Sequence, residues 1–472
     1  MDKTLQTITL GCKVNQAESE ALAAWYRDLH GWHISARGSD ANLCIINTCA
    51  VTSRAEMQSR QAVRKAVRTH PEAVIVVTGC GAQRDPEAFS GIDGVDYIIG
   101  HADKHRIPEI INQYRNAGNF SVSKKSGREP LILNMDLSDY KCFDPMPVPA
   151  AGGRTRPFFK IQDGCNAFCT YCIVPHTRGR SRSLDPELAE SEFRQLVSAG
   201  APEIVISGVH IGKYGLDLTP EDSLVNLLRR LEPIEGGHRI RLSSVEPTEL
   251  TDELLGFIAD SVKICPHFHI PLQSGDHDVL KRMHRPYTPG DFLALTGKIR
   301  DMFPYAAIGA DVLIGFPGEN NKAFSHTLKL IEQSPVTYLH VFPYSPRPGT
   351  PAARFTDRVQ AGEIKRHCRI IRELGRDKKR KFFSRMTGKI LDVVIENTES
   401  QDNGRAKGIS SNYIPVLVEN EGAVEGMRTA CRITSSDSDR AVTGRPVLKV
   451  GESGPGDMEH LSRNSHLTCE NL

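Results

Sequence analysis

The stretch IQDGCNAFCTYCIVPHTRGR, from Ile161 to Arg180, decides the fold because it places three cysteines within eight residues. Cys165, Cys169 and Cys172 follow the spacing C-x3-C-x2-C. Thiolates hold the irons of a cubane iron–sulfur cluster, and a short loop can wrap three of its corners. Three ligands leave one iron open, and an open coordination position distinguishes a working metal site from a closed structural one. The spacing therefore predicts a cluster with one free iron.

A zinc site is the alternative, since His176 lies four residues after Cys172 and could complete a closed Cys3His site. A ligand-free interpretation is weaker, because three close thiols in a reducing compartment need an explanation. The sequence shows no secretory signal and no run of about 18 apolar residues, so we expect a cytoplasmic protein with no membrane partner. The net charge of +2 argues against a histone-like polycation.

The cysteine loop follows a strand-like run, FFKIQ, that opens a repeated β/α pattern. Further strand-like runs follow as EIVISGV, RIRLSSV, HFHIPL, IGADVLIGF and TYLHVFPY, with helix-like stretches between them. This alternation predicts a β/α barrel. A loop that follows a barrel strand belongs to the catalytic face, which favours a working site over a structural one.

Residues 1–118 alternate strand-like and helix-like segments, which predicts an open parallel sheet in an α/β domain. Cys12, Cys49 and Cys80 each come just after an apolar strand-like run. Because the carboxyl ends of parallel strands share one edge, three such cysteines would meet there. Cys44 lies inside its run and is interpreted as a core residue.

The rest of the chain divides by composition. Residues 119–150 are polar and rich in Pro and Gly and look like a linker, and the β/α domain spans 151–385. Residues 386–451 hold short strands with turn signals, which predicts a small β-barrel. Residues 452–472 read as a disordered tail. Cysteines without a motif are interpreted as structural: Cys142, Cys265, Cys368, Cys431 and Cys469.

The cysteine loop after the first strand resembles the signature of the radical S-adenosylmethionine (SAM) enzymes, with Tyr171 in the family's aromatic position. In that family the open iron binds the amino and carboxylate groups of SAM, whose reductive cleavage yields a deoxyadenosyl radical. The resemblance implies a partial barrel. It also implies SAM contacts from Tyr171, Gly208 of SGVHIG, Gln273 of PLQSG and Gly315 of GADVLIGFPGE, although a strand followed by glycine is in isolation ordinary turn chemistry.

The segments TLGCKVNQAES, INTCAVTSRAE and VVTGC resemble the three cysteine motifs of the methylthiotransferases, and the likeness spans nearly the whole chain. It implies that Cys12, Cys49 and Cys80 hold a second [4Fe–4S] cluster with an open iron that carries sulfur. One SAM methylates that sulfur and a second provides the radical, with an electron donor and a sulfur source from outside the chain. The alternative is that these cysteines are three buried structural thiols.

The first motif, GCKVNQAES, resembles the branch that modifies N6-threonylcarbamoyladenosine (t6A) at position 37 of tRNA, through Lys13, Val14 and Gln16. It predicts methylthiolation of C2 of that base, in the anticodon loop. The alternatives are methylthiolation of isopentenyladenosine in tRNA or of a ribosomal-protein aspartate, and a zinc-stabilised RNA-binding protein without catalysis. Gly81 departs from the family, which commonly carries an aromatic residue after the third cysteine.

The C-terminal barrel resembles the TRAM domain, an RNA-binding module similar to the OB-fold. Basic residues just before it could meet tRNA phosphates or could form a solvated helix face: Lys378, Lys379, Arg380, Lys381 and Arg385. Arg178, Arg180 and Arg182 either neutralise a carboxylate or phosphate or form surface salt bridges. His267 and His269 share a strand face and are interpreted as packing residues.

Overall fold

The structure is a computed structural model. It describes residues 3–35, 40–116, 129–148, 153–398, 404–419, 422–436 and 438–447. Among these residues, none of the helices has both the length and the apolar character needed to cross a bilayer. The predicted disordered tail and Cys469 lie outside the described residues.

A six-stranded parallel sheet forms the N-terminal domain. Its strands are β1 (Thr4–Thr9), β2 (His33–Ile34), β3 (Leu43–Thr48), β4 (Val74–Gly79), β5 (Tyr97–Ile99) and β6 (Leu131–Leu133). Its helices are α1 (Lys13–Ala24), α2 (Ser53–Thr69), α3 (Cys80–Arg84), α4 (Glu87–Ser90) and α5 (Ile107–Asn116). The strand order is β2-β1-β3-β4-β5-β6, and every pairing is parallel, as predicted.

Both faces of this sheet are buried, as the apolar run of β3 requires. Ile45 packs into the core that includes Leu22 of α1 and Ile107 of α5. Cys44 faces the opposite core, together with Val63 of α2, and is buried as expected. The strands therefore have little freedom to shift, and their carboxyl ends are fixed along one edge.

Two local features differ from the sequence prediction. Strand β6 lies inside residues 119–150, which the sequence suggested as a linker, because its LIL run pairs with β5 and extends the sheet. The periodicity of ESEALAAWYRDL predicts a helix from Glu18, whereas helix α1 begins five residues earlier, at Lys13, and passes into a π-helical turn at Trp25–Leu29. The earlier start places the helix directly after Cys12.

The central domain is an open β/α barrel. Its strands are β7 (Phe158–Lys160), β8 (Gln162–Asp163), β9 (Arg182–Ser183), β10 (Glu203–Ser207), β11 (Arg239–Leu242), β12 (His267–His269), β13 (Ala307–Ile314) and β14 (Tyr338–Pro343). Its helices are α6 (Val174–Arg178), α7 (Pro186–Ser198), α8 (Leu224–Leu231), α9 (Asp252–Asp260), α10 (His277–Arg282), α11 (Pro289–Met302), α12 (Asn321–Gln333) and α13 (Ala361–Ser384).

Six parallel strands follow one another in the order β7-β10-β11-β12-β13-β14. Isolated bridges from Ile240 to Ile264 and from Ser244 to His269 join the two halves. Strands β7 and β14 are the edges, so the barrel is open between them, and the α/β fold class is confirmed.

The N-terminal domain spans this opening. Helix α1 contacts β7 at one edge. At the other edge, the backbone N–H of Ser53 donates to Ser345 Oγ at 3.0 Å, and Arg347 pairs with Glu56 at 2.8 Å, just after β14. The first turns of α1 and α2 therefore close the side of the barrel.

The C-terminal domain is the predicted small β-barrel. Its strands are β15 (Ile390–Asn397), β16 (Ala406–Ser410), β17 (Pro415–Val418), β18 (Arg428–Ser435) and β19 (Val442–Pro446). They close in the order β15-β16-β17-β19-β18 around an apolar interior. Closure leaves no free strand edge within the barrel.

The small barrel plugs the amino-terminal end of the central strands. Arg239, at the start of β11, donates to the carbonyl oxygen of Ile409 at 2.9 Å, and Arg241 donates to that of Ser410 at 3.0 Å. Tyr413 stacks on His267, at the start of β12, with ring centroids 4.3 Å apart. This end of the central barrel is therefore closed.

Glu203 holds the arginines of this contact in place. Its carboxylate lies 2.6 Å from Arg239, 2.7 Å from Arg241 and 2.9 Å from Arg156, and it is fully buried. Burial opposes its ionisation, but Arg241 and Arg239 outweigh burial and hold the pKa of Glu203 well below its usual value. The contact between the two barrels thus depends on one buried carboxylate.

We expect Glu203→Gln to lower the free energy of unfolding by about 3–5 kcal/mol, because it leaves buried arginines without their counter-charge. The control Glu253→Gln removes an exposed partner of Arg229 and should cost less than about 1 kcal/mol. Because the folded pKa of Glu203 is depressed, its contribution is present above pH ~4.3 and is lost as the pH falls further. Urea denaturation at several pH values measures this, and equal losses for the two variants would refute it.

Candidate iron–sulfur and substrate site

The structure brings Cys12, Cys49 and Cys80 together at the carboxyl edge of the N-terminal sheet. Cys12 precedes α1, Cys49 follows β3 and Cys80 begins α3. A Cβ added to Gly11 would lie 2.9 Å from Cys49 Sγ, so only glycine lets the β1 end pass this thiol. Gly11 and Gly79 have φ of +101° and +93°, which suits glycine and turns the chain sharply into each helix.

The chemistry of this thiol trio suits an iron cluster. Burial, and after it the charges of the neighbouring Cys80 and Cys12 thiolates, raise the pKa of Cys49 to about 12. Thiolate ligands must be deprotonated, so a cationic group is needed to hold all three charges together. Burial also raises the pKa of Cys12, although its side chain is accessible to water. Cys12 therefore lines an opening within the protein.

The second trio lies on the loop between β8 and α6. Phe168 adopts a left-handed backbone conformation, with φ of +46°, and this bends the loop between Cys165 and Cys169. Cys165 Sγ lies 3.3 Å from His210 Nδ1, and Arg285 donates to Cys169 Sγ at 3.2 Å. Each of these thiols thus has a polar neighbour that can stabilise a thiolate.

Neither trio has the compactness of a zinc site. Thiolates bound to one zinc ion lie about 3.8 Å apart, given Zn–S bonds of about 2.3 Å in a tetrahedron. In the described part of the chain, the group of three potential ligands that falls within 4.8 Å is His269, Asp311 and His340, which contains no cysteine. His176 is exposed, with its ring against Phe168. The wider cysteine spacing favours a larger cluster.

The two trios lie on neighbouring helices. Helix α3, which begins at Cys80, packs against α6, which begins two residues after Cys172. Arg178, at the end of α6, interacts electrostatically with Cys12 and Cys80. Two candidate clusters would therefore face a common space.

A buried charge network joins the domains beside this space. Arg178 lies 2.9 Å from Glu18 of α1 and 2.8 Å from Asp163 of β8. Lys104 lies 2.5 Å from Glu18, and Lys160 lies 3.0 Å from Glu18 and 2.8 Å from Asp163. Arg178 also donates to the side-chain oxygen of Asn15 at 2.6 Å. Two carboxylates and three cations thus fasten α1 to the cysteine loop.

The network corrects one expectation about the arginines of the opening stretch. Arg178 and Arg182 are buried, and Arg182 lies 3.7 Å from Asp163, so neither forms a surface salt bridge. Arg180 is exposed and lies over the Phe168 ring at 4.8 Å. Arg178 and Arg182 are buried because the N-terminal domain packs over this loop, whose polar sequence suggested that it was exposed.

The residues predicted to contact SAM lie around the barrel mouth. Tyr171 packs edge-on against Phe316. An added Cβ on Gly208 would lie 2.9 Å from the carbonyl oxygen of Gln162. Gln273 has a left-handed backbone with φ of +62°. A Cβ added to Gly315 would clash with the side chain of Ile364 on α13, so the packing of this helix explains why position 315 is glycine.

Polar side chains line the barrel interior. His269 Nε2 lies 3.0 Å and His340 Nδ1 3.3 Å from the Asp311 carboxylate. Against the effect of burial, these hydrogen bonds hold the pKa of Asp311 below its usual value. His267 Nε2 lies 2.7 Å from the Tyr338 hydroxyl. His269 therefore belongs to a polar interior cluster, not to apolar packing.

The predicted RNA-binding residues lie on α13 and at its end. Lys378 donates to the carbonyl oxygen of Ser334 at 2.8 Å, and Lys379 lies over the Phe383 ring at 5.3 Å. Arg380 pairs with Asp377, and Arg385 donates to the carbonyl oxygen of Pro304 at 3.2 Å. Lys381 is exposed. Their role in RNA binding stays a prediction.

The surroundings of Gly81 explain why this position lacks the aromatic residue that is common in the family. It is buried, and an added Cβ would lie 2.8 Å from Thr48 Oγ1 and 3.3 Å from the Phe89 ring. Phe89 already fills the space beside it, so an aromatic residue at position 81 would not fit.

Comparisons with known proteins decide the family. Residues 159–331 match the Radical SAM superfamily, and residues 4–100 match Uncharacterized protein family UPF0004. Threonylcarbamoyladenosine tRNA methylthiotransferase MtaB of Bacillus subtilis is 38% identical over 87% of this chain and 89% of that protein. The chain belongs to the radical SAM methylthiotransferases. It is an enzyme that transfers a sulfur-containing group, and its predicted cofactors, two [4Fe–4S] clusters and SAM, are confirmed.

Other methylthiotransferases cover similar shares of the chain. MtaB of Thermotoga maritima is 34% identical over 95% of this chain and 99% of that protein. The tRNA-2-methylthio-N(6)-dimethylallyladenosine synthase of Clostridium botulinum is also 34% identical, over 85% of this chain and 87% of that protein. The solved structure of the radical SAM methyltransferase TsrM from Kitasatospora setae matches with a TM-score of 0.51 at 14% identity, over 75% of this chain and 77% of that one, and so shares the fold.

Several residues of this methylthiotransferase site were missed by the sequence interpretation. His210 lies in the quoted SGVHIG turn but was not singled out, and its Nε2 lies 2.7 Å from Glu249. Arg285 pairs with Glu246, and Glu18 anchors the interdomain network. Only His210 could have been found from the sequence, because it lies two residues after the strand-end glycine Gly208. The contacts of Arg285 and Glu18 join distant segments and leave no local signal.

We expect Arg178→Met to lower the free energy of unfolding by about 3–5 kcal/mol, because Glu18 and Asp163 would lose their shared partner in a buried site. The matched control is Arg154→Met, which removes a partly exposed pair with Glu20 across the same interface and should cost less than about 1 kcal/mol. Thermal unfolding and limited proteolysis between the domains measure both. Similar behaviour of the two variants would show that the network does not hold the domains together.

Proposed function

We propose that the enzyme adds a methylthio group to C2 of N6-threonylcarbamoyladenosine at position 37 of tRNA, next to the anticodon. The observation that carries the proposal is the convergence of two cysteine trios at the packed helices α3 and α6. The substrate assignment is supported by relatives named for threonylcarbamoyladenosine, at up to 38% identity, although relatives named for dimethylallyladenosine reach 34%. The two substrates therefore need an experimental test.

The cluster ligands are assigned by position. Cys12, Cys49 and Cys80 would hold the auxiliary cluster, and Cys165, Cys169 and Cys172 the SAM-binding one, each with an iron left free. When bound, the clusters and SAM supply the radical and sulfur-transfer chemistry.

The chain's own residues would position and shield these groups. His210 and Arg285 offer hydrogen-bond donors to the thiolates of the SAM-binding trio, which would set its electrostatic environment. The Glu18–Arg178 pair keeps the two trios at a fixed separation. The N-terminal domain covers the side of the barrel and would limit side reactions of a radical with molecules from solution. Tyr171, Gly208, Gln273 and Gly315 remain the proposed SAM contacts at the mouth.

The partners follow from the reaction. The tRNA would meet the basic end of α13 and the C-terminal barrel, with its target base unpaired in the anticodon loop. Arg380, Lys381 and Arg385 are the exposed members of that basic set. An electron donor and a sulfur source would come from outside the chain, and an enzyme that modifies tRNA would act in the cytoplasm.

We expect Cys165→Ala to abolish SAM cleavage, and Cys80→Ala to retain cleavage but stop methylthiolation, because each removes a ligand of a different cluster. Iron content should fall from about eight to about four per chain in each variant. The control Cys142→Ala changes an exposed cysteine outside both trios and should keep both activities. Release of 5′-deoxyadenosine and of the methylthiolated nucleoside are measured under anaerobic conditions. If the two variants lost the same activity, this division between clusters would be wrong.

We expect purified enzyme to convert t6A in tRNA to its 2-methylthio derivative and to leave isopentenyladenosine unchanged. Nucleoside mass spectrometry of the treated tRNA measures both products. Cells that lack the enzyme should in turn accumulate unmodified t6A. Conversion of isopentenyladenosine in place of t6A would overturn the substrate assignment while leaving the methylthiotransferase activity intact. A protein substrate would appear as unmodified tRNA with a methylthiolated ribosomal aspartate.

A further inference from the structure

Lys13 lies at the start of α1, the helix of the N-terminal domain that packs against the edge of the central barrel. It follows Cys12 directly and is the first residue of α1. Its charge interacts with Arg241 and Arg156, which repel it, and with Glu203 and Asp311, which attract it, all in the central domain. Lys13 therefore lies between the auxiliary cysteine trio and the central barrel, and the base to be modified would have to lie near both clusters.

Lys13 has no ion pair or hydrogen bond with any residue that the structure describes, although it is partly buried. Two other lysines at the same domain interface behave differently, since Lys104 and Lys160 lie 2.5 Å and 3.0 Å from the Glu18 carboxylate. An ammonium group withdrawn from water is costly unless it is paired. Lys13 is thus a cation that lacks its anion.

The nearby acidic groups are already occupied. Glu203 is bound by three arginines, at 2.6 to 2.9 Å. Asp311 accepts hydrogen bonds from His269 and His340. Neither carboxylate lies within ion-pair distance of Lys13 among the contacts of the described residues. The missing anion would therefore come from a ligand.

The start of α1 adds to the attraction for an anion. Its first turn holds no acidic residue, and the Cys12 side chain makes no capping hydrogen bond. The backbone N–H groups of a helix start carry partial positive charge and favour anions. The ammonium and the helix start together give a positive region beside the auxiliary trio.

We propose that Lys13 binds the carboxylate of the threonylcarbamoyl group on the target adenosine and so selects that base. The inference rests on the proposed function, since an isopentenyl group has no charge and would leave Lys13 unpaired. The polar cluster of His269, Asp311 and His340 offers hydrogen-bonding groups for the hydroxyl and ureido groups of such a substituent. SAM also carries a carboxylate, and the two sources are separated by assays with and without tRNA.

The test combines two enzymes with two substrates. The substrates are tRNA that carries t6A and the same tRNA with the threonyl carboxylate converted to its primary amide. The variant Lys13→Met keeps the chain length and removes the charge. We expect it to lower kcat/KM for the t6A substrate by about ten- to a hundredfold, the range of a charged hydrogen bond, and to change that for the amide by less than about twofold. Lys13→Arg should retain most of the preference for the carboxylate.

The control is Lys65→Met, which changes an exposed lysine on α2 and should act like the wild type. Iron content and SAM cleavage without tRNA should be unchanged in Lys13→Met. An equal loss on both substrates, a raised KM for SAM without tRNA, or a loss of iron would each overturn the inference, the second by assigning Lys13 to SAM. If the wild type converts t6A but Lys13→Met shows no selective loss, the Lys13 inference alone fails. If the wild type converts only isopentenyladenosine, the proposed function fails and the inference falls with it.

Discussion

The ion pair between Glu18 and Arg178 is the interaction on which the arrangement of the site depends. Glu18 belongs to the helix that starts at the first auxiliary cysteine, and Arg178 ends the short helix after the second cysteine trio. A buried pair of this kind is specific in geometry, because displacement of either partner leaves an uncompensated charge. The pair, with Asp163 and the lysines around it, therefore helps to fix the separation of the two proposed cluster sites.

Much of the site was predictable because its chemistry is local in sequence. The spacing of Cys165, Cys169 and Cys172 in one loop indicates a shared site. Cys12, Cys49 and Cys80 were recognisable because each follows an apolar run that forms a parallel strand. The two arginines of β11 alternate in RIRL and therefore share a face. What the alternation could not indicate was the partner of that face, which is a carbonyl-rich turn about 170 residues away.

The features that escaped prediction are those that join distant segments or run against composition. Arg178 and Glu18 are 160 positions apart, so no periodicity links them. Strand β6 lies in a segment whose average composition is that of a linker, yet three apolar residues suffice to extend a sheet whose neighbouring strand is already fixed. Propensity describes a segment alone, whereas a strand at the edge of a sheet is stabilised by its neighbour.

The C-terminal barrel closes one end of the central barrel, and this restricts how the target base can enter and leave. The contacts of Glu203 and Arg239 close the amino-terminal end of the central strands, and α1 and α2 cover the side, so the carboxyl end is the remaining route into the central barrel. A nucleobase would enter and leave through the same mouth, so a modified base would have to depart before the next could arrive. The tRNA would then stay at the mouth of the barrel while only its target base enters. The exit of the modified base through that same mouth would limit turnover.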